Sequence, residues 1–115
     1  MRRGEVRLVD FDPARGSEPN KRRPAVIVSN DRANTATVRL GHGLVTVVPV
    51  TSNVDRVFVF QVLLPSASSG LRVDSKAQAE QLRSVSAERL GPVLGNLPTD
   101  LMRALDEALR LHLNL

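Results

Sequence analysis

The sequence predicts an α+β domain, mainly β, in which several short strands build a sheet or small barrel ahead of one C-terminal helix. Three observations lead there. Short β-branched apolar runs recur between proline- and glycine-bearing turns, some segments alternate with period two, and helical spacing dominates only near the C-terminus. With 115 residues there is room for one domain, residues 1–115, and one modest core.

Each element has its own reason. Glu5 to Phe11 mixes apolar and polar residues in near alternation, with Val6 and Leu8 in step, as a half-buried strand does. Asp12 to Lys21 holds two prolines, a glycine and mostly polar neighbours, which make neither ladder nor helix. Pro24 to Ser29 is a short buried strand around Ala25-Val26-Ile27-Val28, followed by a polar connection, Asn30 to Thr37, with room for a helical turn. Leu44 to Thr51 is β-branched and extended, and Pro49 within it implies a bulge or an unpaired edge, because proline cannot donate to a ladder. Phe58, Phe60, Val62 and Leu64 alternate along a strand that Pro65 ends, and Ser66 to Gly70 is a turn. Leu71 to Val85 holds two further strands around Ala77. From Pro98 to Leu113 the apolar residues Leu101, Leu105, Ala108 and Leu109 recur at helical spacing, with Asp100 in the first turn and Arg110 in the last, where the helix dipole favours them.

Composition narrows the function classes. Cysteine is absent, which removes disulfides, thiolate metal sites and cysteine nucleophiles. No apolar run has the length of a membrane helix, and no apolar segment follows Met1-Arg2-Arg3 as a signal peptide requires, so a cytoplasmic protein is expected, with no membrane partner. The formal net charge is +4 and the pI near 11.0, a balance that suits polyanionic partners such as nucleic acid or an acidic peptide. Phe11, Phe58 and Phe60 are the only aromatic residues, so the core rests on Val, Leu, Ile and Ala, and a broad stacking platform for bases is excluded. No nucleotide-binding glycine loop, metal-ligand cluster or Ser-His-Asp set can be assembled. His42 reads as a surface-turn residue and His112 as a helix-face residue.

What remains is a long polar loop, then Arg22-Arg23-Pro24 leading into a buried strand, and a second strand ending in Val48-Pro49-Val50-Thr51-Ser52. These residues, with Gly4-Glu5-Val6, Asp10-Phe11-Asp12-Pro13, Gly16-Ser17-Glu18, Arg23 to Ser29 and Phe60 to Leu64, resemble the MazF/PemK toxins. Glu80-Gln81-Leu82-Arg83-Ser84-Val85 is similar to a later family segment, with Glu where Asp is usual. The match runs in order along nearly the whole chain. The resemblance implies an SH3-like small barrel of the CcdB/MazF kind with a C-terminal helix, forming a homodimer. It also implies a toxin of a type II toxin–antitoxin system that inhibits translation by cleaving single-stranded RNA, without a metal or cofactor, to a 2′,3′-cyclic phosphate and a 5′-hydroxyl. A MazE-like antitoxin with an acidic, disordered tail is the implied partner. Carried over by position, the site residues are Arg23 before the proline, Thr51 at the strand end and Glu18 in the loop. Arg15, Lys21, Arg22, Ser52, Lys76, Gln81 and Arg83 are the candidate RNA contacts.

The chemistry asks for a base to take the 2′-hydroxyl proton, a proton for the leaving 5′-oxygen, and donors that steady the added charge on phosphorus. An arginine fork suits the last task, since it stays charged and pairs geometrically with phosphate oxygens. Thr51 can donate a hydroxyl to the same phosphate. Glu18 is the chemically natural base, although cations at Arg15, Lys21, Arg22 and Arg23 would lower its pKa if they lie close in space. Read on spacing alone, Arg23 could cap a sheet edge, Thr51 could be an ordinary strand residue and Glu18 a solvated charge. Two rival functions stay open at this level. One is a nucleic-acid-binding barrel that cuts nothing. The other is a CcdB-like gyrase poison, whose activity depends on a terminal tripeptide beginning with tryptophan, whereas this sequence ends Leu113-Asn114-Leu115.

Overall fold

The β-branched runs become strands that wrap around one central strand. The structure, a computed structural model, describes residues 1–12 and 21–115. Among these, seven strands pair antiparallel: β1 (Glu5–Asp12), β2 (Lys21–Ile27), β3 (Leu44–Thr51), β4 (Gln61–Leu64), β5 (Ser75–Gln78), β6 (Arg83–Ser86) and β7 (Leu90–Asn96). The order is β4-β5-β3-β2-β1-β7, with β6 lying against β3 as well. The helices are α1 (Asp31–Leu40), the single turn α2 (Ser66–Ser69) and the C-terminal α3 (Thr99–Leu113). This is the expected mainly-β architecture with a C-terminal helix, in the form of an unclosed barrel.

Strand β3 changes partner along its length, and Pro49 stands at the change. The Thr46 carbonyl accepts from Val28 N–H at 3.0 Å and from Ser29 N–H at 3.3 Å, so even-numbered residues of β3 turn their backbone groups towards β2. Pro49 turns the other way. On that side pairing with β6 ends at Val47 and pairing with β5 begins at Val50. The missing N–H thus falls in the gap between two partner strands. The expected edge is not found, because β3 is the most internal strand, and its proline sits where no ladder bond is needed.

Both faces of the sheet are covered, which explains why Ala25-Val26-Ile27 and Val47-Val48 are continuous apolar runs. Val6, Val26, Val48, Val50, Leu64 and Ala77 point to one side and pack on Leu105 and Ala108 of α3. Val9, Phe11, Ala25, Ile27, Val45, Val47 and Val85 fill the other.

Three expectations need correction. The polar connection after β2 is a full helix, α1, capped by the Asn30 side chain accepting from Ala33 N–H at 2.8 Å and closed by left-handed Gly41. The strand expected from Phe58 starts only at Gln61, because Phe58 to Phe60 form a turn in which Gln61 N–H bonds back to the Phe58 carbonyl at 2.9 Å. Strand β7 has no counterpart among the predicted elements. It holds Gly91, Pro92 and Gly95, and it pairs with β1 through two register shifts. No helix among the described residues is long and apolar enough to cross a membrane.

Candidate functional site

Strand register brings the two central candidates together. Pairing of β2 with β3 runs Ile27 to Val47, Val26 to Val48 and Ala25 to Pro49. This pairing ends at Ala25 and Pro49; two residues further along each strand, and on the same face, stand Arg23 and Thr51, which line one groove. Thr51 in turn pairs with Lys76 of β5. Cross-strand partners share a face, so Arg23, Thr51 and Lys76 form a row across three strands. Arg83, opposite Val47, lies on that face too. Arg22 does not. It pairs with Asp10 and lines a separate small cleft with Glu88 and Arg89.

Arg23 and Thr51 stand with Ser52 along a groove of about 700 Å³. Leu8, Pro24 and Val50 give it an apolar side, and Gly70 to Val73 together with Leu94 of β7 line it as well. Gly70 is left-handed at φ 81°, and a Cβ there would lie 2.8 Å from the Leu94 carbonyl. That close crossing of two backbones fixes where the segment bearing Arg72 stands. Arg23 is exposed and pairs with no carboxylate among the described residues. The Thr51 hydroxyl oxygen accepts from Asn53 N–H at 3.3 Å, so its own proton is free to be given elsewhere.

The remaining candidates have different surroundings. Lys76 is only 8% exposed, and its ammonium donates to the Arg56 carbonyl beneath the 56–58 segment. Gln81 is exposed on the 3₁₀ turn Ala79–Gln81. The exposed Arg83 guanidinium lies 5.2 Å from the Phe11 ring centre. Lys21 opens β2, and its side chain lies outside the described residues, as do Arg15, Glu18 and most of the predicted loop. His42 and His112 are both exposed. No group of three or more His, Asp or Glu side chains that could hold a metal ion occurs among the described residues.

Sequence reasoning missed Arg72 and Leu94 as lining residues, since neither periodicity nor motif separates them from their neighbours. Gly70 was the one local signal, a left-handed residue that forces the chain to turn there. It also missed the cluster of Arg56, Phe58 and Phe60 beside Lys76. The Phe58 and Phe60 rings are stacked, 5.3 Å between centres and 3° from parallel.

Comparison with known proteins adds three findings. Residues 2–113 match the family described as PemK-like, MazF-like toxins of type II toxin–antitoxin systems. The chain is 60% identical over 115 residues to endoribonuclease MazF9 of Mycobacterium tuberculosis, covering all of this chain and 98% of that protein. Among solved structures, MazE–MazF (form II) of Deinococcus radiodurans superposes with a TM-score of 0.81 at 27% identity, covering 100% of this chain and 96% of that one. MazF (form I) from the same organism gives 0.77 at 28%, covering 100% and 97%.

Proposed function

Because the chain belongs to the PemK-like, MazF-like toxins of type II toxin–antitoxin systems, we propose that it is an endoribonuclease that cuts single-stranded RNA in the cytoplasm and so inhibits translation. The observation that carries this reading is that Arg23 of β2 and Thr51 of β3 line one groove of about 700 Å³.

Cleavage proceeds through the substrate's own 2′-hydroxyl. Its oxygen bonds to phosphorus as the P–O5′ bond breaks and the leaving oxygen takes a proton from water, giving a 2′,3′-cyclic phosphate on one product and a 5′-hydroxyl on the other. Negative charge grows on the non-bridging oxygens between these events. Arg23 presents a planar fork of N–H donors to those oxygens. Thr51 adds a neutral hydrogen bond from the side opposite its contact with Asn53. Both act where charge increases in the transition state, which is where a fixed donor has most effect. Glu18 is assigned as the base that takes the 2′-hydroxyl proton, a role resting on the family resemblance and on carboxylate chemistry.

The test is incubation of a long single-stranded RNA with the protein in excess chelator, followed by end analysis. Fragments carrying cyclic phosphate and 5′-hydroxyl ends, formed with chelator present, support the proposal. RNA that is retained in a gel shift but stays intact would overturn it in favour of a binding module.

A further inference from the structure

In a chain with only three aromatic residues, two stack on each other beside the Arg23–Thr51–Lys76 row, Phe58 exposed and Phe60 half-buried. A core of Val, Leu and Ile would have gained more from burying them, each ring being worth about 1.5–3 kcal/mol when taken out of water. Instead Phe58 is 40% exposed. The stack is held from below. Phe58 N–H donates to the Gln61 side-chain oxygen at 3.1 Å, and the Gln61 amide donates to Glu80 at 2.7 Å. Gln61 is buried, so the turn carrying the rings is anchored to the barrel and the rings are pre-positioned. Cations flank them, with the Arg56 guanidinium 4.7 Å and the Lys76 ammonium 5.9 Å from the Phe58 ring centre. Lys76 is the cross-strand partner of Thr51, so this cluster begins one strand away from the proposed scissile phosphate.

We propose that the Phe58–Phe60 stack, with Arg56 beside it and Lys76 beneath it, is a stacking site for one unpaired nucleobase flanking the cleaved phosphate. This deepens the endoribonuclease reading and rests on it. A rigid apolar ring face flanked by positive charge is complementary to a base attached to its own phosphate, since bases stack on aromatic and guanidinium planes alike. An aliphatic peptide side chain would gain nothing from the two cations. Two rings make a site for a single base, which agrees with the exclusion of a broad platform. Because every base has a π-face, the site contributes affinity and register, with a preference for the larger purines.

The experiment uses a short RNA with a 2′-deoxy residue at the cut site and 2-aminopurine placed in turn at each flanking position. Wild-type protein is expected to quench one position selectively. Phe58→Leu and Phe60→Leu, which keep apolar volume, are expected to abolish that quenching and weaken binding about 5- to 150-fold, the usual range for one stacked base. On cleavable RNA the loss should appear mainly in KM, and an abasic nucleotide at the quenched position should cost wild type as much as it spares the variants. Quenching unchanged in both folded variants, or an abasic penalty that adds fully to theirs, overturns the proposal while leaving cleavage intact. Loss of binding to an acidic peptide but not to RNA assigns the stack to a protein partner and overturns it equally. RNA that neither binds nor is cut by wild type overturns this site and the endoribonuclease reading together.

Discussion

The roles proposed for Arg23 and Thr51 use different tools on a phosphate, and substitutions should separate them. Arg23→Ala and Thr51→Ala are each expected to lower cleavage by about 10²- to 10³-fold, the usual cost of losing one donor to a charge-developing oxygen. Arg23→Lys keeps the charge but loses the paired N–H geometry, so it should recover only part of the loss. Cleavage of a defined RNA by each variant, with folding checked by circular dichroism, decides this. Wild-type rates in the Arg23→Ala protein would remove it from the site. Both residues were legible in the sequence only through the family resemblance. Alone, an arginine before a proline and a threonine ending a β-branched run are ordinary residues. What singles them out physically is the fold, which pairs Ala25 with Pro49 and brings the next same-face residue of each strand, Arg23 and Thr51, to one groove. Arg22 shows the converse. Adjacent to Arg23 in sequence, it points to the opposite face, because neighbours along a strand always do. A basic run on a strand is therefore two half-surfaces.

The elements that place these residues depend on a few tight contacts. A Cβ on Gly95 of β7 would stand 2.1 Å from the Ser69 carbonyl and 3.1 Å from the Gly70 Cα. Gly95→Ala must push α2 away, and with it the segment bearing Leu71 and Arg72. Overpacking of this kind costs about 1–3 kcal/mol, so a drop in Tm of several degrees and weakened RNA binding are expected together. An unchanged Tm would show that the crossing is looser than described. Helix α1 offers a pH-dependent check. Arg3 N–H donates to the Asp31 carboxylate at 2.6 Å, and this bond holds the Asp31 carboxyl below its ordinary value; the Asn34 amide and the Arg2 and Arg3 charges pull the same way, against some desolvation. A lowered folded-state pKa means that the contact stabilises above the unfolded value and is lost as pH falls through the folded one. Amide shifts of residues 3 and 34 should therefore move only below the ordinary aspartate range, and Asp31→Asn should erase that step. A carboxyl titrating at the usual value would contradict the contact. The strands that alternate or run apolar were legible from sequence, as was α3. Helix α1 was not, because it is anchored by Asn34, whose amide meets the Ser29 carbonyl at 2.9 Å, and no apolar stripe marks it. Its caps, Asn30 and Gly41, were the signal to read. Strand β7 escaped because its glycines serve close backbone approaches, Gly91 to Leu8 of β1 and Gly95 to the end of α2, whereas glycine in sequence suggests a turn.

On the scale of the whole molecule, exposed apolar surface and excess charge both point outward to partners. Leu111, Leu113 and Leu115 at the end of α3 are 56, 47 and 86% exposed. A homodimer is expected, with this end of α3 as the apolar surface to cover, since Pro49 no longer marks a free strand edge. Sedimentation at micromolar concentration should give twice the chain mass, and a stable monomer would refute it. The second partner is electrostatic. The groove combines an apolar side of Leu8, Pro24 and Val50 with Arg23 and Arg72. This suits a peptide carrying carboxylates beside apolar anchors as well as it suits RNA. An acidic, disordered antitoxin tail is therefore expected to occupy the groove and exclude the substrate, meeting its ordering cost only on binding. Two consequences separate this from inhibition at a distance. Tail and non-cleavable RNA should compete, each raising the apparent Kd of the other in proportion to its concentration. Association should slow steeply as salt rises, because steering between these charges is screened within about 10 Å at 0.1 M. Arg72→Ala should weaken tail and RNA alike, since it lines the groove both would fill. Titrating a fluorescent tail peptide against RNA with a 2′-deoxy residue at the cut site reads all three effects. A ternary complex with both affinities unchanged would refute occlusion. Inhibition would then have to act through the α2–β7 crossing that sets the groove's far side, and Gly95→Ala would alter it while Arg72→Ala would not.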